Sequence, residues 1–292
     1  MKENKLQIIK NTVSALEKYH ADYDSSIPCK DAVRDIIIKV RAVLFPEYFE
    51  CTCEKKGIAD ELAEIYDNLS EQIASALKHA DPSAQSDALR ERADSIAADF
   101  IAALPLLKAT LEKDVEAGYS GDPAAGSRED IIISYPGMLA VLVYRVAHLL
   151  YEAKVPLIPR IMTEYAHSRT GIDINAGAVI GEYFFIDHGT GVVIGETTII
   201  GDHVKLYQGV TLGALSTRKG QALAGVKRHP TIGNNVTVYS NASILGGDTV
   251  IGEGSLIGGN AFITSSVPPY TKVIVKNQEL IFKAGKSDIW EI

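Results

Sequence analysis

A six-residue repeat runs through the second part of this chain and limits the folds open to it. From Gly171 onward an aliphatic residue recurs every six positions, often followed by glycine, with a small or β-branched residue at the fifth position. The register slips by two residues early on, is interrupted by a long insertion, and slips by one residue later. The aliphatic positions are Ile174, Ile180, Ile186, Ile194, Ile200, Leu206, Leu212, Ile232, Val238, Ile244, Ile251, Ile257 and Ile263.

A repeat this short predicts a solenoid, because each unit can bury its aliphatic residue only by stacking on its neighbours. Three hexads would form one triangular coil of about eighteen residues, with the aliphatic side chains inside and glycines easing the corners. Glycine is distributed accordingly, since 19 of the 24 glycines lie at or beyond residue 171. A globular all-β domain is the alternative, but it does not explain thirteen aliphatic residues in register.

The residues before the repeat carry a helical pattern. Segments 6–19, 60–78 and 88–116 repeat apolar residues at steps of three and four, and they are rich in helix-forming residues. Pro136 is suited to the first turn of a further helix over 138–153. The predicted fold class is therefore α+β in sequence order, with an all-α N-terminal domain followed by a parallel β-helix.

The predicted domains follow from this change of pattern. They are an α-helical domain over residues 1–155, a β-helix over 156–275 with an inserted loop at 214–231, and a tail over 276–292.

Charge and composition exclude some classes of protein. The net charge is −8, whereas a general nucleic-acid binder needs a basic surface. The most apolar stretch, 138–150, is interrupted by Arg145 and His148, so we expect no membrane span. Three cysteines and the absence of an apolar signal core predict a reducing, cytoplasmic location. The pair Cys51 and Cys53 has poor spacing for zinc.

Two histidines in the repeat are candidates for chemistry. His188 lies where the hexad register slips, and Asp173 precedes it by fifteen residues, close to one coil. A carboxylate stacked on the imidazole would give a general-base dyad, or else a structural salt link. His229 follows Arg228 at the return of the inserted loop, which is basic and could cover a phosphorylated ligand or be a solvated loop. His203 is expected to be an ordinary surface residue.

Several segments together resemble one family. They are 121–124 (GDPA), 144–148 (YRVAH), 173–178 (DINAGA), 187–197 (DHGTGVVIGET), 208–213 (QGVTLG) and 228–230 (RHP). They are similar to the serine O-acetyltransferases, hexapeptide-repeat enzymes that move acetyl from acetyl-CoA to the serine hydroxyl in cysteine biosynthesis. The resemblance implies a left-handed β-helix.

The resemblance also implies roles for individual residues. His188 would be the general base and Asp173 would orient it. The other assignments concern binding. The serine ammonium group would be held by Asp122 and Asp187, the serine carboxylate by Arg228 with help from His229, and acetyl-CoA by backbone near Gly213, Ala214 and Ser240.

The family further implies acetyl-CoA as a co-substrate with no permanently bound cofactor and no metal. It implies a homotrimer or a hexamer, and docking of O-acetylserine sulfhydrylase through Ile292. The chain departs from better-known bacterial members in a longer segment at 214–219, in Ala214 and Ser240, and in a weakly similar N-terminal half.

Three other functions stay open at this point. The chain could acetylate a different acceptor, although two carboxylates and a guanidinium suit a zwitterion better than a sugar. It could be a zinc β-helix enzyme of the γ-carbonic anhydrase type, which needs three histidines converging across a subunit interface, with His188, His203 and His229 available. It could also be a silent scaffold that only binds a partner enzyme.

Overall fold

The computed structural model describes residues 2–20, 27–49, 57–216, 218 and 220–276 of the 292 in the chain. Cys51, Cys53 and Ile292 therefore lie outside the described residues. The helices of the described part are α1 (Lys2–His20), α2 (Lys30–Leu44), α3 (Ile58–Ala80), α4 (Ser86–Gly121), α5 (Arg128–Ser134), α6 (Pro136–Glu152) and α7 (Ile158–Thr170).

The chain divides into two compact units. The first comprises residues 1–105 and 149–162, and the second comprises 106–148 and 163–292. The division falls at Pro105 inside α4, where proline removes a helical hydrogen bond. The first unit is helical, and its core is built on the packing of α2 against α3, with Val33, Ile37 and Ile65 almost wholly buried.

The helical prediction is confirmed for α1, α3, α4 and α6, while α2, α5 and α7 were not predicted. A signal for α2 was present, since its buried residues Val33, Ile36, Val40 and Leu44 recur at helical steps. Helix α7 lies within the range assigned to the β-helix, so secondary structure changes between Thr170 and Asp173 rather than near residue 155. The predicted domain boundaries themselves stay predictions.

The repeat forms fourteen short parallel strands in three sheets. The first sheet contains β1 (Asp173–Ile174), β4 (Val193–Ile194), β7 (Thr211–Gly213), β10 (Ser243–Leu245) and β13 (Phe262–Ile263). The second contains β2 (Val179–Ile180), β5 (Ile199–Ile200), β8 (Thr231–Ile232) and β11 (Val250–Ile251). The third contains β3 (Phe185–Ile186), β6 (Lys205–Leu206), β9 (Thr237–Val238), β12 (Leu256–Ile257) and β14 (Lys272–Val273).

Successive strands visit the three sheets in turn, so the chain winds as a triangular coil. All thirteen aliphatic positions of the repeat are buried, with at most 8% of each side chain exposed. They fall in the same register from coil to coil, as when Ile174 pairs with Ile194 and Ile194 with Leu212. The solenoid prediction is confirmed, and the globular all-β domain is wrong.

The segment 144–148 closes the first coil. Tyr144 Oη donates to Ala178 O at 2.6 Å, and Arg145 Nη2 donates to Gly181 O at 2.7 Å. His148 Nδ1 donates to Ala176 O at 2.7 Å. The first coil has no earlier coil to supply N–H donors to these carbonyls, and buried carbonyls need partners. Helix α6 thus caps the end of the solenoid in the second unit.

No single helix in the described part is long and apolar enough to cross a membrane. Helices α5 and α6 would meet that test only as a pair, and they are bent by 72° relative to each other.

Candidate active site

Most predicted site residues lie at two corners of the solenoid, on either side of the first sheet. The acidic corner, residues 187–192, 207–210 and 239–242, leads from the third sheet into the first. The basic corner, residues 195–198 and 214–230, leads from the first sheet into the second and contains the inserted loop. Each corner gathers one half of the predicted serine-binding residues.

Asp122 comes directly after α4 and is held firmly in place. Its Oδ2 accepts from Tyr135 Oη at 2.6 Å, and its Oδ1 accepts from Ala124 N at 2.9 Å. These bonds, first that from Tyr135 and then that from Ala124, lower the pKa of Asp122, and the charges of Lys205 and His188 act in the same direction. The same contact raises the pKa of Tyr135 to about 12. Asp122 is therefore a fixed carboxylate beside the acidic corner.

Asp187 is buried at that corner and is paired with a lysine. Lys205 Nζ lies 3.1 Å from Asp187 Oδ2 and also donates to Gly121 O at 2.6 Å. His188 Nε2 lies 3.9 Å from Asp187 Oδ1, and the His188 side chain is 69% exposed. Two carboxylates, one ammonium and an accessible imidazole thus meet at one place. The two carboxylates and the lysine leave one uncompensated negative charge.

His188 has φ of +58°, which is uncommon for a residue with a side chain. The same conformation occurs at other corners, including His203 at +56° and Asn241 at +60°. The backbone conformation therefore belongs to the corner geometry and is not by itself a mark of catalysis. It directs the His188 ring outward from the end of the third sheet.

The prediction that Asp173 and His188 stack because they lie about one coil apart is wrong, since the paired residue of Asp173 is Val193. One coil takes twenty residues here, because Asp173 pairs with Val193 rather than with a residue near 188. The two segments are nonetheless neighbours. Gly191 N donates to Gly171 O at 2.8 Å, and a Cβ at Gly189 would lie 2.4 Å from Ile172 Cδ1. The orienting role of Asp173 stays a prediction.

At the basic corner, Thr197 organises Arg228 and His229. Thr197 Oγ1 accepts from the backbone N–H groups of Arg228 and His229, at 2.9 and 3.0 Å. Thr197 N donates to His229 Nδ1 at 3.0 Å, and Thr197 Oγ1 lies 2.9 Å from the same nitrogen. Arg228 forms an ion pair with Glu196 and is 22% exposed.

These contacts fix the state of His229. Since Nδ1 accepts from an N–H group, the neutral ring carries its hydrogen on Nε2. Burial, helped by the charges of Arg228 and Lys227, lowers the pKa of His229 to about 4. His229 is therefore a neutral hydrogen-bond donor near pH 7, suited to binding an anion and not to accepting a proton.

The residues predicted to bind acetyl-CoA are spread over both corners. Ala214 directly follows β7 at the basic corner, whereas Ser240 lies at the acidic corner, where its carbonyl accepts from Asn260 N at 2.9 Å. Gly213 pairs with Leu245, and its carbonyl accepts from Gly246 N at 3.0 Å. The contacts of the described residues do not bear on acetyl-CoA binding, so the roles of Gly213, Ala214 and Ser240 stay predictions.

The histidines that a zinc enzyme would need lie at three different corners. His203 is at the corner between the second and third sheets, where its ring stacks on Tyr183 at 4.3 Å. Within one chain His188, His203 and His229 therefore share no corner. Among the described residues no group of three acidic, histidine or cysteine side chains is placed to hold a metal ion.

The two corners of one chain lie at opposite edges of the first sheet. The stretch from Val192 to Gly195 between them is extended, and three steps at about 3.3 Å put roughly 10 Å between the corners. Asp122, Asp187 and His188 are brought together at one corner, and Arg228 and His229 at the other. Within one chain the two groups therefore lie at separate corners.

Sequence reasoning missed Lys205, Tyr135 and Thr197. Lys205 occupies the outward position of β6, next to a core position of the repeat, and an exposed lysine there is unremarkable in sequence. Tyr135 precedes Pro136, and its position in the sequence indicates only a connection between helices. Thr197 could have been noticed as the end of the 187–197 motif.

The comparisons with known proteins agree with this site. No protein-family model matches the chain. It is 44% identical over 255 residues to the plasmid serine acetyltransferase of Synechococcus elongatus, covering 83% of this chain and 80% of that protein.

Solved structures give the same result. Serine acetyltransferase 1 of Entamoeba histolytica, in complex with L-cysteine, superposes with a TM-score of 0.73 at 36% identity, over 89% of this chain and 94% of that one. Serine acetyltransferase of Neisseria gonorrhoeae, in complex with serine, gives 0.56 at 25% identity, over 88% and 98%.

These relatives decide both the fold class and the kind of protein. The predicted fold class, helices followed by a left-handed parallel β-helix, is confirmed. A zinc enzyme, an acetyltransferase for a different acceptor and a silent scaffold are not favoured. The chain belongs to the serine acetyltransferase family of acyltransferases.

Proposed function

We propose that this protein transfers the acetyl group of acetyl-CoA to the hydroxyl of L-serine, giving O-acetyl-L-serine for cysteine biosynthesis. One observation carries the proposal: His188 stands beside Asp122 and Asp187 in a cluster with one uncompensated negative charge. Such a cluster suits an acceptor that brings one ammonium group and a hydroxyl. Relatives whose structures hold serine or L-cysteine support the same substrate class.

The chemistry requires one proton acceptor. The serine hydroxyl is a weak nucleophile near pH 7, and a positioned base contributes about 10²–10⁴-fold. The imidazole of His188 takes the hydroxyl proton as the serine oxygen attacks the thioester carbonyl. The tetrahedral intermediate then expels the CoA thiolate, which receives that proton from His188. Asp173 is proposed to support the imidazolium, and the reaction proceeds in a ternary complex without an acetyl-enzyme.

Serine would be held at both ends. Its ammonium group would bind between Asp122 and Asp187, while its carboxylate would receive hydrogen bonds from Arg228 and from Nε2–H of His229. We propose that the acidic corner of one subunit meets the basic corner of another, because one chain places these groups at corners whose backbones lie roughly 10 Å apart.

A homotrimer, or a hexamer of two trimers, supplies that contact. The outer side of the second sheet, which begins at the basic corner, exposes Val179 (52%), Ile199 (43%) and Val250 (44%). An apolar column of this kind is typical of a surface that packs against another subunit.

Acetyl-CoA would be a co-substrate and not a resident cofactor. We propose that it lies along a groove between subunits near Gly213, Ala214 and Ser240. Arg218 lies in the inserted loop and is exposed, so it is available to the phosphates of acetyl-CoA.

Docking of O-acetylserine sulfhydrylase through Ile292 also stays a proposal; unchanged sulfhydrylase affinity after removal of Ile292 would reject it. The cytoplasmic location stays a prediction, checked by cell fractionation.

The direct test is release of the CoA thiol by purified protein with acetyl-CoA and L-serine, compared with homoserine, threonine and a simple sugar. We expect rapid release with L-serine only. Activity with another acceptor alone would retain the base but refute the assignment of Asp122, Asp187 and Arg228. A stable acetyl-enzyme in mass spectrometry would refute the ternary-complex mechanism.

A further inference from the structure

Lys205 lies inside the acidic cluster. It occupies the outward position of β6, and the next residue, Leu206, is a buried core position of the repeat. Its ammonium group lies 3.1 Å from Asp187 Oδ2 and donates to Gly121 O at 2.6 Å. Gly121 is the last residue of α4 and directly precedes Asp122. One ammonium group thus joins the two segments that carry the two carboxylates of the site.

The surroundings of Lys205 hold it in this position. Its ammonium group lies 5.0 Å from the centre of the Phe185 ring and 4.5 Å from that of Tyr207, within the range of cation–π contacts. The side chain is only 18% exposed. Burial lowers the pKa of Lys205, but hydrogen bonds to Tyr207 and Asp187 outweigh burial and leave the pKa raised. The lysine is therefore charged at any pH at which the enzyme works.

The charge count at the acidic corner depends on this lysine. Asp122 and Asp187 bring two negative charges, and Lys205 neutralises one of them. The one negative charge that is left matches the single ammonium group of an amino-acid substrate. Without Lys205, two carboxylates would face one ammonium group, and Asp187 would lose the contact that fixes its Oδ2.

We propose that Lys205 is a positioning and specificity residue for the acceptor amino acid: it ties Asp187 to the end of α4 and leaves the site with a single net negative charge. It touches neither the thioester nor the hydroxyl proton in this arrangement. Its effect should therefore fall on acceptor binding, and much less on the chemical step or on acetyl-CoA. This inference rests on the proposed function.

The experiment compares Lys205→Met, Lys205→Arg and Lys113→Met in the full chain. Lys113 is a matched control, because it also joins α4 to the solenoid, through Glu182 Oε1 at 2.7 Å, but at a different corner. Steady-state kinetics with L-serine and acetyl-CoA would be measured for each variant, together with thermal unfolding. The wild-type rate with L-serine tests the proposed function separately, since its absence would refute that function whatever the variants do.

For Lys205→Met we expect the KM for L-serine to rise by about ten-fold or more, with kcat within about three-fold and the KM for acetyl-CoA unchanged. Lys205→Arg keeps the charge and should recover most of the serine affinity, while Lys113→Met should behave as wild type. An unchanged serine KM in Lys205→Met, in an active wild-type background, would overturn the inference. So would equal losses for both substrates, or a loss in Lys205→Arg as large as in Lys205→Met.

Discussion

At the scale of single residues, the site separates two histidines into different roles. His188 is exposed at the acidic corner beside two carboxylates, whereas His229 is buried, which lowers its pKa to about 4, and accepts a hydrogen bond from Thr197 N at Nδ1. The same residue type is therefore proposed to accept a proton at one corner and to donate a hydrogen bond at the other. At His229, burial and the neighbouring cations Arg228 and Lys227 disfavour the charged imidazole and lower its pKa.

Replacing His188 by asparagine should lower kcat by about 10²–10⁴-fold and leave acetyl-CoA affinity nearly unchanged, because only the base is lost. Asparagine tolerates positive φ, so the backbone should keep its conformation. His203→Asn is the matched control, since His203 has nearly the same φ at another corner. Turnover and acetyl-CoA binding would be measured. Near-normal turnover in His188→Asn would contradict the assignment.

Replacing Thr197 by valine should destabilise the fold by about 1–3 kcal/mol, because the N–H groups of Arg228 and His229 would lose their acceptor. The KM for L-serine should rise as His229 loses its fixed orientation. Thr198→Val is the control, since the Thr198 hydroxyl is buried without a hydrogen-bond partner in the described structure and its removal should be neutral or stabilising. Urea unfolding of both variants measures the difference; equal effects would argue against the role of Thr197.

At the scale of elements, helices α4 and α6 position the site by closing the first coil of the solenoid. Arg145 Nε donates to Asp114 Oδ2 at 2.6 Å, and its Nη2 donates to Asp114 Oδ1 at 2.9 Å. Asp114 also accepts from Phe184 N at 2.9 Å. Because Asp122 lies two turns beyond Asp114, this buried pair sets where the first carboxylate of the site stands.

Replacing Arg145 by methionine should cost about 3–5 kcal/mol of unfolding free energy, since it leaves a buried carboxylate without its partner. The double variant Arg145→Met with Asp114→Leu should recover part of this loss, because no charge then stays buried. Lys113→Met serves as the control, as its pair with Glu182 is only partly buried and should contribute much less. A double variant less stable than Arg145→Met would contradict this explanation.

At the scale of the whole molecule, the proposed serine site is shared between subunits of an assembly. The groups proposed to bind the ammonium and the carboxylate lie at opposite edges of the first sheet. A rotationally symmetric ring allows every acidic corner to meet a basic corner of the next subunit. The homotrimer or hexamer therefore stays a proposal, in which each site is completed by a neighbouring subunit.

Mixed assemblies of two inactive variants test this proposal. Co-expression of His188→Asn with Arg228→Ala should restore activity to about a quarter of the wild-type level, because random mixing gives each site a one-in-four chance of two intact halves. Each variant alone should be nearly inactive. Native mass spectrometry would confirm mixed trimers. Mixed trimers without recovered activity would place all site residues in one subunit and contradict the proposal.

The sequence alone determined the solenoid, because a six-residue period can be satisfied only by stacking, and all thirteen predicted positions are buried. It also supplied the motifs that identify the family. The positions of side chains at the corners were decided by tertiary structure. The twenty-residue first coil pairs Asp173 with Val193, and Lys205 reaches Asp187 and Gly121 across the fold. Those contacts join residues far apart in the chain, so no local sequence pattern predicts them.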